Sequence, residues 1–293
     1  MKESGGQMTQ KFKIILFSEV NSKFGMPYFE RIYSNKNFEI KALVTTPKGK
    51  LCSYYVGEAN PVDLEKFALS KNIPVYRPDN IKSDSFCNEL KKYSPDYLLV
   101  ANYQKILGEN LINLPKYDTL NFHPSPLPRY AGLSPFFWMA KNNEKESGVT
   151  CIKVAPVIDG GDIVKQLPVK LTGNETTREV RDKLFEKSLV LLDEVLKDIT
   201  KQSIKSYPQN ILQREYFSKP TESDMLITHE TKVNEALSIL RACAPKPAIL
   251  EPDTKKMKVI AVSWSPQAKG ILYQLKDGNY IFFLKLIRRK FYE

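Results

Sequence analysis

Two short stretches carry the residue types that proton-transfer chemistry needs. Asn121-Phe122-His123 runs out of an apolar strand into the loop Pro124-Ser125-Pro126-Leu127-Pro128-Arg129-Tyr130-Ala131-Gly132. Side chains two positions apart on a strand share a face, so Asn121 and His123 point the same way. Prolines at 124, 126 and 128 fix the loop and remove its amide donors. His123 is one of 2 histidines in the chain. The other, His229, lies among Ser223, Asp224, Thr228 and Glu230 and reads as a surface residue. The second stretch is Val157-Ile158-Asp159-Gly160-Gly161-Asp162-Ile163, in which two carboxylates flank a Gly-Gly turn between strands. As a bare pattern this is a hairpin made of turn-favouring residues. If both loops lie at one sheet edge, one of the two carboxylates meets His123, and an imidazole beside a carboxylate can hold and move a proton.

The elements around these loops alternate. Lys11 to Ser18, Phe38 to Thr46, Tyr97 to Ala101 and Thr119 to His123 are short, apolar and β-branched, as buried parallel strands are. Gly148 to Val154 and Ile163 to Val169 read as further strands. Helical patterns fall between them: Met26 to Tyr33, Pro61 to Lys71 with proline in its first turn, and Ser83 to Lys92. A long helix follows over about Thr177 to Ile199, with Val180, Leu184, Leu191, Leu192, Val195 and Leu196 as its apolar face. Such alternation predicts an α/β fold, a Rossmann-like, mostly parallel sheet with helices on both faces, whose site lies at the carboxyl ends of the strands. The turn after the first strand, Glu19 to Gly25, lacks G-x-G-x-x-G, and no G-x-x-x-x-G-K-[ST] occurs, so dinucleotide and P-loop sites are disfavoured.

From Lys201 to Gln213 the chain is polar and reads as a linker. Beyond it come a helix, Lys232 to Cys243, and short strands at Met257 to Trp264, Gly270 to Leu275 and Tyr280 to Leu286, the last two joined by an Asp277-Gly278 hairpin. The expected organisation is a disordered leader (1–10), a catalytic domain (11–200), a linker (201–215) and a small C-terminal β-barrel (216–293).

Composition narrows the class. With 42% hydrophobic and 26% charged residues among 293, the chain is globular, and no apolar run approaches the roughly 18 residues a membrane span needs. The first ten residues hold no apolar signal core, which points to a cytoplasmic protein. Cys52, Cys87, Cys151 and Cys243 are scattered, and with 2 histidines no metal cluster is expected. Reduced, buried thiols are the expectation. The formal net charge is +11, and residues 201–293 hold 16 Lys and Arg against 9 Asp and Glu. A basic excess of that kind suits a polyanionic partner.

Taken together, Asn121-Phe122-His123, Ser125-Pro126-Leu127-Pro128, Gly148-Val149-Thr150 and Asp159-Gly160-Gly161-Asp162 resemble, in order and spacing, the signature of the folate-dependent formyltransferase family. One departure is Pro126, where the family usually has leucine. The family's chemistry makes sense of the residue types. A primary amine attacks the formyl carbon of 10-formyltetrahydrofolate, and an oxyanion develops. The resemblance implies that Asn121 and His123 donate to that oxygen, a preorganised donor contributing about 3 to 4 kcal/mol in acyl-transfer sites. It implies Asp159 as the carboxylate that orients His123 and relays the proton, with Asp162 a turn residue beside it. The family's folate loops correspond here to Gln104, Lys105, Ile106 and Leu107 and to Ser125, Pro126, Leu127 and Pro128, with Val157 and Ile158 as walls of the same pocket. On pattern alone Ala101 to Leu107 is only a strand end running into a helix.

The resemblance extends over nearly the whole chain and is nearest to the branch that formylates methionyl-tRNA. Leu240-Arg241-Ala242 before a proline-rich turn, the C-terminal barrel, read as OB-like, and its basic excess fit tRNA as partner. Thr45 to Asn60, with Lys48 and Lys50, occupies the place of a basic loop that approaches the acceptor stem. Against this, the family's Gly-Thr-Pro turn is replaced by Ser18-Glu19-Val20-Asn21, its Ile-Asp-Trp motif reads Leu226-Ile227-Thr228, and the Thr45 to Asn60 loop holds Glu58 and two tyrosines. Family members that formylate nucleotide-linked amino sugars share the core, so a nucleotide-sugar is the alternative acceptor. A third reading is a non-catalytic folate- or RNA-binding protein, against which the joint retention of Asn121, His123 and Asp159 speaks.

Overall fold

A computed structural model describes residues 11–56, 58–251, 256–263, 271–278 and 280–285. The expected leader over residues 1–10 and the strand ends at Trp264, Gly270 and Leu286 lie outside the described residues. In chain order the elements begin β1 (Phe12–Phe17), α1 (Gly25–Ser34), β2 (Phe38–Val44), α2 (Leu64–Ser70), β3 (Val75–Tyr76), α3 (Asp84–Lys91), β4 (Tyr97–Val100), α4 (Glu109–Ile112) and β5 (Asp118–His123). They continue with β6 (Ala131–Gly132), α5 (Pro135–Lys141), β7 (Glu146–Lys153), β8 (Ile163–Lys170), α6 (Thr177–Thr200), β9 (Tyr216–Phe217) and β10 (Leu226–Ile227). The last are α7 (Val233–Cys243), β11 (Ala248–Leu250), β12 (Met257–Ser263), β13 (Ile271–Gln274) and β14 (Tyr280–Lys285).

The chain forms two compact units. One comprises Met1–Pro128, Val149–Leu167 and Phe185–Gln213; the other comprises Arg129–Gly148, Pro168–Leu184 and Arg214–Glu293. The architecture is α/β, as the alternation predicts. A seven-stranded sheet has the order β3-β2-β1-β4-β5-β7-β8. Strand β1 pairs in parallel with both β2 and β4, and β4 with β5. Strand β7 runs antiparallel to β5, so the sheet is mixed at that side, a direction that side-chain periodicity does not encode. Ile14, Ile15, Leu16, Phe17, Leu98 and Leu99 are all 0% exposed, because helices cover both faces of these strands. Each such side chain contributes about 1.5–3 kcal/mol through burial.

In the first unit α1 buries Tyr28, Phe29 and Ile32. Its Tyr28 hydroxyl donates to the Ser188 carbonyl at 3.0 Å, and Phe24 packs on Phe185 at 4.4 Å between ring centroids. The apolar stripe predicted for α6 is buried throughout, from Val180 to Leu196. The helix expected from Pro61 begins only at Leu64, because the Asp63 carboxylate caps the amide of Lys66 and sets the start there. Ser83 caps α3 in the same way through the amide of Phe86.

In the second unit α5 packs on α7. A parallel pair, β6 with β9, holds Ala131 opposite Tyr216 and Gly132 opposite Phe217. Five C-terminal strands form a sheet in the order β10-β11-β12-β14-β13. The antiparallel hairpin of β13 and β14 turns through Asp277-Gly278, with Gly278 at φ +79°, the left-handed backbone that glycine adopts without steric cost. His229 is exposed, as expected, and stacks on Tyr273 at 4.2 Å.

Candidate active site

The site is built at the carboxyl end of β5. Asn121 pairs with Val100 on one side and Ile152 on the other, and His123, the last residue of the strand, sits opposite Thr150. His123 is 8% exposed. Its Nδ1 lies 3.5 Å from Oδ1 of Asp159, at ion-pair distance once the ring is protonated. Asp162, the other carboxylate of the Gly-Gly turn, is exposed. Its backbone carbonyl closes the turn by accepting from the Lys153 amide at 2.9 Å. Of the two carboxylates left open by the sequence pattern, Asp159 is the one beside the imidazole.

Asp159 occupies an uncommon backbone state, with φ at +51°. Aspartate tolerates the left-handed region better than most residues, at a cost of roughly 1–2 kcal/mol. The turn around it is tight. A Cβ added at Gly161 would lie 1.8 Å from the Lys153 carbonyl oxygen, so only glycine lets these two backbone segments approach. The Gly160 amide donates to the Val157 carbonyl at 3.0 Å, and Gln209 Nε2 donates to the carbonyls of Asp159 and Gly161 at 2.8 and 2.7 Å.

The Thr150 hydroxyl ties the proline loop to β7. Thr150 Oγ1 donates to the Ser125 carbonyl at 2.7 Å and accepts from the Leu127 amide at 3.2 Å. It also accepts from Gln166 Nε2 at 2.8 Å, and the same Nε2 donates to the Leu127 carbonyl at 2.8 Å. Ser125, Leu127 and Thr150 are buried. This gives the Gly148-Val149-Thr150 motif a physical job: it ties the loop after His123 to the neighbouring strand. Pro126 and Pro128, both half-buried, complete that loop.

The segment after β4 divides its side chains. The Gln104 amide donates to Glu19 Oε1 at 3.1 Å, and Lys105 Nζ donates to the Pro78 carbonyl at 3.1 Å. Leu107 joins the apolar core with Phe17, Leu98 and Val100, while Ile106 is 54% exposed. Val157 and Ile158, on the turn that carries Asp159, are 55% and 40% exposed. Thus Gln104, Lys105 and Leu107 have partners in the protein, and Ile106, Val157 and Ile158 present apolar surface.

Three residues at these loops carry no sequence signal strong enough to single them out. Gln166 lies within a strand pattern and Gln209 in a polar stretch, and only tertiary register brings their amides to the two loops. Glu19 is 3% exposed at the end of β1 and accepts from the Thr46 hydroxyl at 2.8 Å. Burial pushes its pKa up, while Thr46, Gln104 and Lys105 pull it back. An acid directly after a buried strand was the available clue. Asn21 pins the Thr45 to Asn60 loop: its Nδ2 donates to the Cys52 carbonyl at 3.0 Å and its Oδ1 accepts from the Cys52 amide at 2.9 Å. Among the described residues no group of three or more His, Cys, Asp or Glu side chains is placed to hold a metal, and no helix is long and apolar enough to cross a membrane.

Comparison with known proteins bears on this geometry. The methionyl-tRNA formyltransferase of Dictyoglomus thermophilum is 32% identical over 238 residues, covering 78% of this chain and 73% of its own. Among solved structures, an N-formyltransferase from Helicobacter canadensis, in complex with folinic acid and dTDP-3-aminofucose, superposes with a TM-score of 0.66. It is 19% identical and covers 94% of this chain and 100% of its own. HypX from Aquifex aeolicus, in complex with tetrahydrofolic acid, superposes at 0.64 with 14% identity, covering 92% of this chain and 43% of its own. At these identities the structural matches speak to fold. The family model described as formyl transferase matches residues 12–196, which takes in β1 through most of α6 and every residue of the loops just described except Gln209; the chain belongs to the formyl transferase family.

Proposed function

We propose that this chain transfers a formyl group from 10-formyltetrahydrofolate to a primary amine, and that the amine is the amino group of methionyl-tRNA. The observation that carries the reaction is the meeting of His123 and Asp159 at 3.5 Å, with Asn121 two residues back on the same face of β5. That donor set fits a formyl carbonyl, since an amide and an imidazolium can both donate to an oxygen gaining charge. The folate supplies the formyl carbon; the chain's own residues do the rest. Asn121 Nδ2 and His123 donate to the formyl oxygen as the amine nitrogen bonds to its carbon and the carbonyl electron pair moves onto oxygen. Asp159, beside Nδ1 at 3.5 Å, orients the His123 ring. The Asp159 carboxylate takes the proton that the amine loses and returns it to the folate nitrogen as the old carbon–nitrogen bond breaks. One proton moves from nucleophile to leaving group, so charge and atoms balance. Ile106, Val157 and Ile158 supply apolar surface for a flat ring, and Ser125 to Pro128 its rigid border.

The tRNA acceptor is supported by the name and coverage of the 32% identical relative and by the 16 Lys and Arg against 9 Asp and Glu over residues 201–293. The same reading places the protein in the cytoplasm, in one-carbon metabolism and translation initiation, and closes the five C-terminal strands into an OB-like barrel. A nucleotide-linked amino sugar is the second reading. It is favoured by the Thr45 to Asn60 loop, in which Glu58 pairs with Lys23 at 3.2 Å and Cys52 is pinned by Asn21, so the loop is no free basic arm. Incubation with 10-formyltetrahydrofolate and either methionyl-tRNA or a TDP- or UDP-amino sugar, followed by release of tetrahydrofolate, separates them. Turnover with methionyl-tRNA that falls steeply with salt supports the first reading. Salt-indifferent turnover of the sugar amine supports the second, and no release with either overturns both.

A further inference from the structure

We propose that Gln209 is a positioning residue whose side-chain amide latches the Asp159–Gly161 turn and thereby keeps the Asp159 carboxylate against the His123 ring. The inference rests on the reading of Asp159 as the proton-handling carboxylate. Three observations carry it. First, Asp159 is held at φ +51°, a state that an L-residue keeps only when its surroundings over-determine it. Second, two backbone hydrogen bonds close the ends of the turn, and the Gln209 side chain reaches the peptide between them. The Lys153 amide to the Asp162 carbonyl closes its far end, and the Gly160 amide to the Val157 carbonyl closes its near end. Gln209 holds the Asp159 carbonyl, whose direction follows the same backbone torsion that aims the side chain. Its two Nε2 protons go one each to the carbonyls of Asp159 and Gly161, at 2.8 and 2.7 Å. Third, Gln209 is itself placed by backbone pairing. Tyr207 exchanges two hydrogen bonds with Ile163, at 2.8 and 3.0 Å, which registers Gln209 two residues along beside the turn. The polar stretch after α6 therefore does more than connect.

One further detail makes the role separable from folding. Gln209 Oε1 is buried and has no hydrogen-bond partner among the described residues. A methionine of similar shape removes two donors, which costs stability at the two carbonyls, and also removes this orphaned acceptor, which offsets part of that cost.

The test compares the full chain with Gln209→Met, Gln209→Glu and Asp159→Asn, using 10-formyltetrahydrofolate and methionyl-tRNA (or the amino sugar, if that is the amine it formylates). Alongside, amide hydrogen exchange at Gly160 reports the turn without any acceptor. For Gln209→Met we expect kcat to fall roughly 10- to 100-fold with KM for the folate changed less than about threefold, as misplacement of a reacting group does. Gly160 exchange should rise about tenfold or more as the turn opens locally. Gln209→Glu supplies a signature that loss of packing cannot: the introduced carboxyl donates only when protonated, and burial raises its pKa. Its activity relative to the unmodified chain should therefore climb several-fold as pH falls from about 8 to about 6. A kcat for Gln209→Met within twofold of the unmodified chain, while Asp159→Asn is inactive, overturns the latch and leaves the site reading intact. So does a flat activity ratio across pH. If Asp159→Asn is as active as the unmodified chain, the site reading falls, and Gly160 exchange alone decides whether Gln209 holds the turn.

Discussion

Thr150→Val is the substitution whose cost can be worked most fully from the coordinates. It keeps the shape of a fully buried side chain and deletes one hydroxyl, which donates to the Ser125 carbonyl and accepts from the Leu127 amide and from Gln166. A neutral hydrogen bond contributes about 1 kcal/mol net, and a buried donor or acceptor left unpaired costs about 1–3 kcal/mol. Gln166 keeps its bond to the Leu127 carbonyl, so two backbone groups carry most of the loss, and the expected destabilisation is roughly 3–5 kcal/mol. At about 2–4 °C per kcal/mol for a chain of this size, the midpoint of thermal unfolding should drop by about 6–20 °C. Thr150→Ser keeps the hydroxyl and removes one methyl, at about 1 kcal/mol. Scanning calorimetry on the pair isolates the hydroxyl. A Val variant melting within ~2 °C of the Ser variant would refute the view that this hydroxyl holds the proline loop.

Further outcomes follow from the same geometry. Gly161→Ala places a methyl against the Lys153 carbonyl at 1.8 Å, so the turn must shift; kcat should fall at least ~10-fold, with a smaller effect at Gly160→Ala, where the nearest atom is the Val157 side chain at 2.7 Å. Glu175→Gln tests an acid-range contribution. Burial pushes the Glu175 carboxyl up, but the Lys183 ammonium and the Thr172 amide outweigh it and leave a pKa of about 2. A depressed folded pKa stabilises the fold above the unfolded value of about 4.3, and that stability is lost as pH falls from there through about 2. Discounted for screening through the half-exposed Lys183, the deficit of Glu175→Gln in urea unfolding near pH 7 should be on the order of 2 kcal/mol and shrink toward zero below about pH 2. A deficit constant across that window contradicts the assignment.

Much of this was legible in the residues alone. Short β-branched runs marked β1, β2, β4 and β5, and the stripe from Val180 to Leu196 marked α6, because buried strands and amphipathic helices leave strong periodic traces. Helix α5 left none: Pro135-Phe136-Phe137-Trp138-Met139-Ala140 is apolar nearly all round, and Phe136, Phe137, Met139 and Ala140 are all buried. Strands β3, β6 and β9 span 2 residues each, too few for any pattern. At the site, residue type singled out Asn121, His123 and the two acids near Gly160. The choice between those acids came from family resemblance, and the backbone geometry that sets Asp159 beside the ring is a tertiary fact. Gln166 and Gln209 belong to the same class. A glutamine becomes informative only when the pairing of Tyr207 with Ile163, or the seat of β8 beside β7, brings it to a carbonyl.

The most direct measurement of the central claim is the single-turnover rate of formyl transfer by Asp159→Asn and Asp162→Asn, each checked for retained binding of folinic acid. Asp159→Asn should lose about 10²- to 10³-fold while still binding the folate, and Asp162→Asn should stay within about fivefold of the unmodified chain. The opposite order, or an Asp159→Asn variant as fast as the unmodified chain, would contradict the account.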